Sequence, residues 1–121
     1  FYPYSCNPAD VWEAIKKEQE NLFFIDVQTR GHYPSYAVSI FAEKGVHLQM
    51  EDGDPEILKT TVDFISFSYY ASRCVAADMN GKTANEGNVV RSVKNPYLET
   101  SQWGWAIDPL GLRLIYRQRK K

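Results

Sequence analysis

Residues 62–70 read VDFISFSYY. The run contains neither Pro nor Gly and is rich in β-branched and aromatic types, which suit a pleated, half-buried surface. It predicts a β-strand. Strand geometry alternates side chains, so Val62, Phe64, Ser66, Ser68 and Tyr70 share one face. Asp63, Ile65, Phe67 and Tyr69 take the other. The start of the run is apolar on both faces, as in a parallel strand covered on both sides. Toward the C-terminal end, two serines and a tyrosine open a polar patch. In (β/α) architectures that end of a strand carries the active site. The expected class is therefore α/β.

Upstream of this strand the punctuation predicts helices. Phe1–Ser5 is a short aromatic strand end. Asn7 can cap a helix and Pro8 fits its first position, where the missing N–H costs nothing. That helix is expected to run to about Phe24, with Trp12, Ile15, Gln19 and Leu22/Phe23 near helical spacing and Lys16–Glu20 solvated. In residues 25–34, Gly31 permits a turn and Pro34 keeps Tyr33 extended. A second helix follows Pro34, with Ala37, Ile40 and Phe41 on one face and Gly45 as its stop. Val46–Met50 is a candidate strand. Asp54-Pro55 starts a short helix to about Thr60, with Asp54 as cap.

Downstream, residues 76–96 are polar and turn-rich. They form either a long loop or a hairpin with Val89–Val93 as one arm. Trp103-Gly104-Trp105 precedes Asp108-Pro109, where Asp108 caps a last helix expected to carry Leu112, Ile115 and Tyr116. The basic end, Arg117–Lys121, reads as a solvated helix end.

Composition narrows the function classes. The 121 residues fit the roughly 100–200 of one domain. Apolar residues at 44% and charged residues at 24% match a soluble globular chain. Fourteen Lys and Arg against fifteen Asp and Glu give a net charge of −1. That argues against binding nucleic acid by phosphate neutralisation. No apolar run reaches the roughly 20 residues of a membrane span. The opening Phe1–Cys6 has no Met and no basic region, so no signal peptide is expected and the start reads as a cut into a longer protein. Cys6 and Cys74 read as two buried thiols of a reducing cytoplasm. Aromatics reach 14%, and such residues line sugar sites as well as filling cores.

Motifs that would announce an independent catalyst are missing. There is no C-x-x-C, H-E-x-x-H, G-x-S-x-G or phosphate-binding glycine loop. His32 and His47 lie on different segments and read as loop histidines rather than ligands. No carboxylate pair is spaced for acid–base work, and neither metal nor cofactor is implied.

Four segments read together are more specific. FYPYSCNPADV, NLFFIDVQTRGHYPSY, TVDFISFSYYAS and VKNPYLETSQWGWAIDPLGLR resemble glycoside hydrolase family 1, and within it the 6-phospho-β-glucosidase branch. FFIDV followed by G-x-Y-P is family-wide. FSYY, in place of the commoner Asn-Tyr-Tyr, points to the phospho-sugar branch. The likeness runs to about Arg113, and RLIYRQRKK departs from it.

The resemblance implies a TIM (β/α)8 barrel. Such barrels hold about 200 to over 400 residues, so the chain is expected to be one internal fragment, from the end of strand five to the approach to strand seven. It implies a cytoplasmic retaining glycosidase with two glutamates, acting on phosphorylated β-glucosides delivered by a phosphotransferase system. Those glutamates belong to an Asn-Glu motif upstream and a Glu-Asn-Gly motif downstream, and the phosphate loop is also C-terminal. The fragment alone is then expected to be inactive. Tyr70 matches the tyrosine that hydrogen-bonds the nucleophilic glutamate, and Ser68 stands where many relatives have asparagine in the same site. Trp103 matches a position lining the aglycone subsite. Trp105 is read as packing and Tyr69 as facing the outer layer. Open strand edges predict self-association. Rival readings are an unphosphorylated β-glucosidase, a non-catalytic sugar-binding or interaction module, and a decayed gene product.

Overall fold

The structure, a computed structural model, describes residues 1–85 and 91–118. Val89, Val90 and the basic end beyond Gln118 lie outside those residues. The chain divides into two compact units, Phe1–Lys17 with Ser68–Lys121, and Glu18–Phe67.

In the first unit, strand β1 (Tyr2–Pro3) pairs in parallel with β2 (Cys74–Val75), Tyr2 opposite Cys74 and Pro3 opposite Val75. The N–H groups of Tyr2 and Tyr4 donate to the carbonyls of Arg73 and Val75, each at 2.8 Å. Val93 covers the other edge of β2, its N–H donating to the Cys74 carbonyl at 2.8 Å. Cys74, Ala76 and Val93 form the core of this unit, with Tyr4 packed against them. Helix α1 (Pro8–Arg30) begins here. The side chain of Asn7 caps it as predicted, accepting the Ala9 N–H at 3.0 Å. Buried Asp10 pins it, accepting the Ser5 hydroxyl at 2.6 Å and the Ala77 N–H at 2.9 Å. Helix α4 (Pro109–Gln118) closes the unit and starts where Asp108-Pro109 predicts.

The strand predicted over 62–70 is not formed: no residue of that run belongs to a strand. The parallel ladder falls later, at Cys74–Val75. Phe64 is 79% exposed, and Val62, Ile65 and Phe67 are exposed with it. The physical reason is the missing partner. β propensity measures how well a side chain suits an existing sheet, and a lone strand gains nothing from it. Among the described residues the parallel partner is only Tyr2–Pro3, and it pairs further along the chain.

The second unit is helical. Helix α1 continues to Arg30 rather than stopping near Phe24. Two local bonds favour the extra turns: the Thr29 hydroxyl donates to the Ile25 carbonyl at 2.7 Å, and Arg30 pairs with Asp26 at 3.5 Å. The helix ends at Gly31, whose φ is +71°. A Cβ there would sit 3.0 Å from the Leu58 carbonyl oxygen and 3.1 Å from the Lys59 Cα. The glycine of the G-x-Y-P motif is thus required by both dihedral and space. Helix α2 (Tyr36–Lys44) follows Pro34 and stops at Gly45, φ +63°, as predicted. Ala37 is its buried residue, and Phe41 meets Phe23 and Tyr33 at ring centroids of 5.7 and 5.8 Å. Helix α3 (Asp54–Leu58) is capped by Gly53, not by Asp54. The Asp54 carboxylate instead accepts the Glu51 N–H at 2.9 Å. Val46–Met50 forms no strand, again for want of a neighbour.

Three further expectations change. Trp12 and Ile15 are exposed, while Asp10 and Ala14 are the buried positions of α1. Cys6 is exposed rather than buried, because it lies in the turn before α1, while Cys74 is buried in β2, and both are free thiols. The His32 ring sits 2.9 Å from the Arg30 carbonyl, as a loop histidine would. No helix among the described residues is long and apolar enough to cross a membrane.

Candidate functional site

The WGW segment forms the tip of a small hairpin in the first unit. Thr100 bridges Ala106 antiparallel, and the Gly104 N–H closes a turn on the Ser101 carbonyl at 2.9 Å. Gly104 holds a φ of +77° in that turn. The Ser101 hydroxyl accepts the N–H groups of Trp103 and Trp105, both at 3.3 Å. This geometry leaves Trp103 at the tip, 76% exposed. Trp105 is half-buried beside it, ring centroids 6.2 Å apart. Tyr70 meets Trp105 at 5.7 Å and is 74% exposed. Tyr70 and Trp103 therefore belong to one aromatic patch with Trp105 as its middle member. Ser68 is exposed two residues earlier. Trp105, read from the sequence as packing, is what brings the other two rings together.

The same unit holds a polar cluster centred on Asp108, which is 7% exposed. One carboxylate oxygen caps α4, accepting the Gly111 N–H at 3.0 Å. The other oxygen collects three hydroxyls: Tyr2 at 2.9 Å, Tyr69 at 3.3 Å and Ser72 in a short contact. Tyr69 also donates to the Asp108 carbonyl at 3.0 Å and lies 2.7 Å from the Ser72 hydroxyl. Tyr69 thus turns inward to this cluster, while Tyr70 is the exposed member of the pair.

Charge follows from this geometry. Burial pushes the Asp108 carboxyl up, but the bonds from Ser72, Gly111, Tyr2 and Tyr69 together outweigh it and hold the group below the usual carboxylate range. Burial is also the main cause raising Tyr2, with the hydrogen bond and charge of Asp108 adding to it, to about 12. Tyr69 is raised by burial as well, against the lowering effect of Ser72. At neutral pH the cluster is one carboxylate held by neutral hydroxyls. No member is poised to give or take a proton there. The aromatic patch offers flat apolar surface, the kind that sugar rings stack on.

Glycosyl hydrolase family 1 matches residues 1–120. The chain belongs to this family. Among its relatives, 6-phospho-beta-glucosidase AscB of Escherichia coli (strain K12) is 63% identical over 114 residues, which is 94% of this chain and 24% of that protein. The 6-phospho-beta-glucosidase of Dickeya chrysanthemi is 50% identical, covering 94% of this chain and 24% of that protein. That of Clostridium longisporum is 49% identical, covering 97% and 25%. The chain spans about a quarter of the length of these glycosyl hydrolase family 1 relatives. The family fold is a TIM barrel, and this structure holds only a part of one.

The family match spans the FSYY and WGW segments and Asp108 alike. Reading Asp108-Pro109 as a helix cap found one carboxylate oxygen and missed the other. Strand alternation assigned Tyr69 to a face and not to a partner, and Ser72 lay beyond the run that was read.

Proposed function

We propose that this chain forms one stretch of the wall of a retaining glycosidase that hydrolyses 6-phospho-β-glucosides, from the end of barrel strand five to the approach to strand seven. The observation that carries the reading is the 63% identity to a 6-phospho-beta-glucosidase across 94% of the chain. In this reading Tyr70 hydrogen-bonds the nucleophilic glutamate, Ser68 stands in the same site and Trp103 lines the aglycone subsite. The Tyr70–Trp105–Trp103 patch supports these roles, because Tyr70 and Trp103 are exposed and both rings meet Trp105. Both glutamates come from other segments of the barrel, so the 121 residues alone turn over nothing. The protein works in the cytoplasm, where Cys6 and Cys74 stay reduced.

The test is a graft. This chain replaces the matching quarter of the Escherichia coli relative, and the purified hybrid is assayed on a chromogenic 6-phospho-β-glucoside beside the free chain. The hybrid should turn over the substrate and the free chain should not. A folded hybrid without turnover would refute the assignment to the wall. Turnover by the free chain above a denatured control would refute its dependence on the rest of the barrel.

A further inference from the structure

The Tyr69–Tyr70 pair poses a mechanical question: adjacent residues must diverge, and something must decide which one reaches the aromatic patch. Both hydroxyls belong to the same residue type, and the run they end has no ladder of its own to impose a facing. Hydrogen bonding decides it here. The Tyr69 hydroxyl is held by the backbone carbonyl of Asp108 at 3.0 Å and by its carboxylate at 3.3 Å. Ser72, three residues on, reaches the same carboxylate oxygen. Ser72 also bridges Ala106, so the segment after Tyr70 is tied to the hairpin that carries Trp105. With Tyr69 anchored inward, Tyr70 is left 74% exposed and in contact with Trp105 at 5.7 Å.

We propose that Asp108 is a positioning residue: its carboxylate holds Tyr69 and Ser72 so that Tyr70, and not Tyr69, is presented beside Trp105 at the substrate face. That this face meets substrate rests on the function proposed above; the facing itself does not. A carboxylate suits the task because it is acceptor-only when ionised, and three hydroxyls from two separate segments converge on one oxygen. Charge-assisted bonds of this kind are the stronger ones. An amide would set two N–H donors or a weaker acceptor against the same three hydroxyls.

The free 121-residue chain serves for the test, read by nuclear Overhauser contacts between the Tyr70 ring and the Trp105 indole. The wild-type chain should show them. Asp108→Ala should lose them while its far-ultraviolet circular dichroism stays helical. Asn7→Ala, which removes the cap of α1 without touching the cluster, should keep them, and this separates positioning from general loss of stability. Should Asp108→Ala fail to fold, Tyr69→Phe and Ser72→Ala delete the holding bonds singly, and each should weaken the contacts. Contacts at full intensity in Asp108→Ala, or in both single variants, would overturn the proposal, as would their absence from the wild-type chain. A catalytically dead graft would count against the glycosidase reading and leave these contacts unchanged, so the two failures are distinguishable.

Discussion

Replacing Gly111 by alanine should damage this protein, although Gly111 lies in a helix where alanine is normally favoured. Its φ is not positive, so dihedral strain is not the cause. The cause is space. A Cβ at Gly111 would stand 2.6 Å from the Ser72 hydroxyl and closer still to the Tyr69 hydroxyl and an Asp108 carboxylate oxygen. All three atoms belong to the buried cluster, and none is the free end of a flexible chain. Making room would break or stretch the bonds from Tyr69 and Ser72 to a carboxylate, each worth roughly 1.5–3 kcal/mol. Overpacking adds ~1–3 kcal/mol, while the better helix propensity of alanine returns about 1 kcal/mol. With one of the two bonds lost outright, the net loss should be roughly 1.5–5 kcal/mol, a drop in Tm on the order of 10 °C for a chain of this size. Gly53→Ala is the control, since a Cβ there meets nothing within 4 Å. Thermal and urea unfolding followed by tryptophan fluorescence would measure both. A Gly111→Ala chain as stable as wild type, or more so, would show that the cluster is loose and refute the reasoning.

Other consequences are equally open to measurement. Ser92 is 2% exposed, and its hydroxyl has no hydrogen-bond partner among the described residues. Ser92→Ala should therefore be neutral or stabilising by up to ~1 kcal/mol in urea unfolding, and a loss beyond ~1 kcal/mol would reveal a partner. Tyr2 titrates in the folded chain at about 12, above its ordinary 10.0. Its contribution is then whole below pH 10 and is lost as pH climbs through that window toward 12. The rise sets an upper limit near ~2.7 kcal/mol, and screening at a partly exposed phenol brings it to ~1–2 kcal/mol. Alkaline unfolding that is unchanged by Tyr2→Phe would contradict this. At the acid end, Asp108 sits below its ordinary range, so its contribution is present above about pH 4 and falls away as pH drops below it. The free chain should self-associate, because Phe24, Val38, Ile57 and Phe64 are each at least 70% exposed. Sedimentation showing a compact monomer at high concentration would count against this.

The helix signals in this sequence are local, and they were legible. Asn7-Pro8, Asp108-Pro109 and Gly45 each act through their own backbone and nearest turn, so the start of α1, the start of α4 and the end of α2 fall where those residues place them. The run 62–70 was not legible in the same way, since a strand exists only with a neighbour to pair with. Its composition suits a pleated sheet, but no residue of the run belongs to a strand. The site was half legible. Tyr70 and Trp103 stood out as members of family motifs, but the contact of Tyr70 with Trp105 and the bonds of Tyr69 to Asp108 join residues 35 and 39 positions apart. No pattern of period two or 3.6 reports such contacts.

The most direct test of the account is the kinetics of Tyr70→Phe in the grafted enzyme. The proposed bond from Tyr70 to the nucleophilic carboxylate is worth roughly 1.5–3 kcal/mol. Its loss raises the carboxylate pKa and frees its orientation, because the bond favours the charged form. At about 1.4 kcal/mol per tenfold in rate, kcat should fall roughly ten- to a hundredfold. KM for the chromogenic 6-phospho-β-glucoside should change little, since binding of the ground state does not depend on that bond. A Tyr70→Phe graft with wild-type kcat would contradict the placement of Tyr70 at the substrate face, and with it the claim that this chain forms part of the active-site wall.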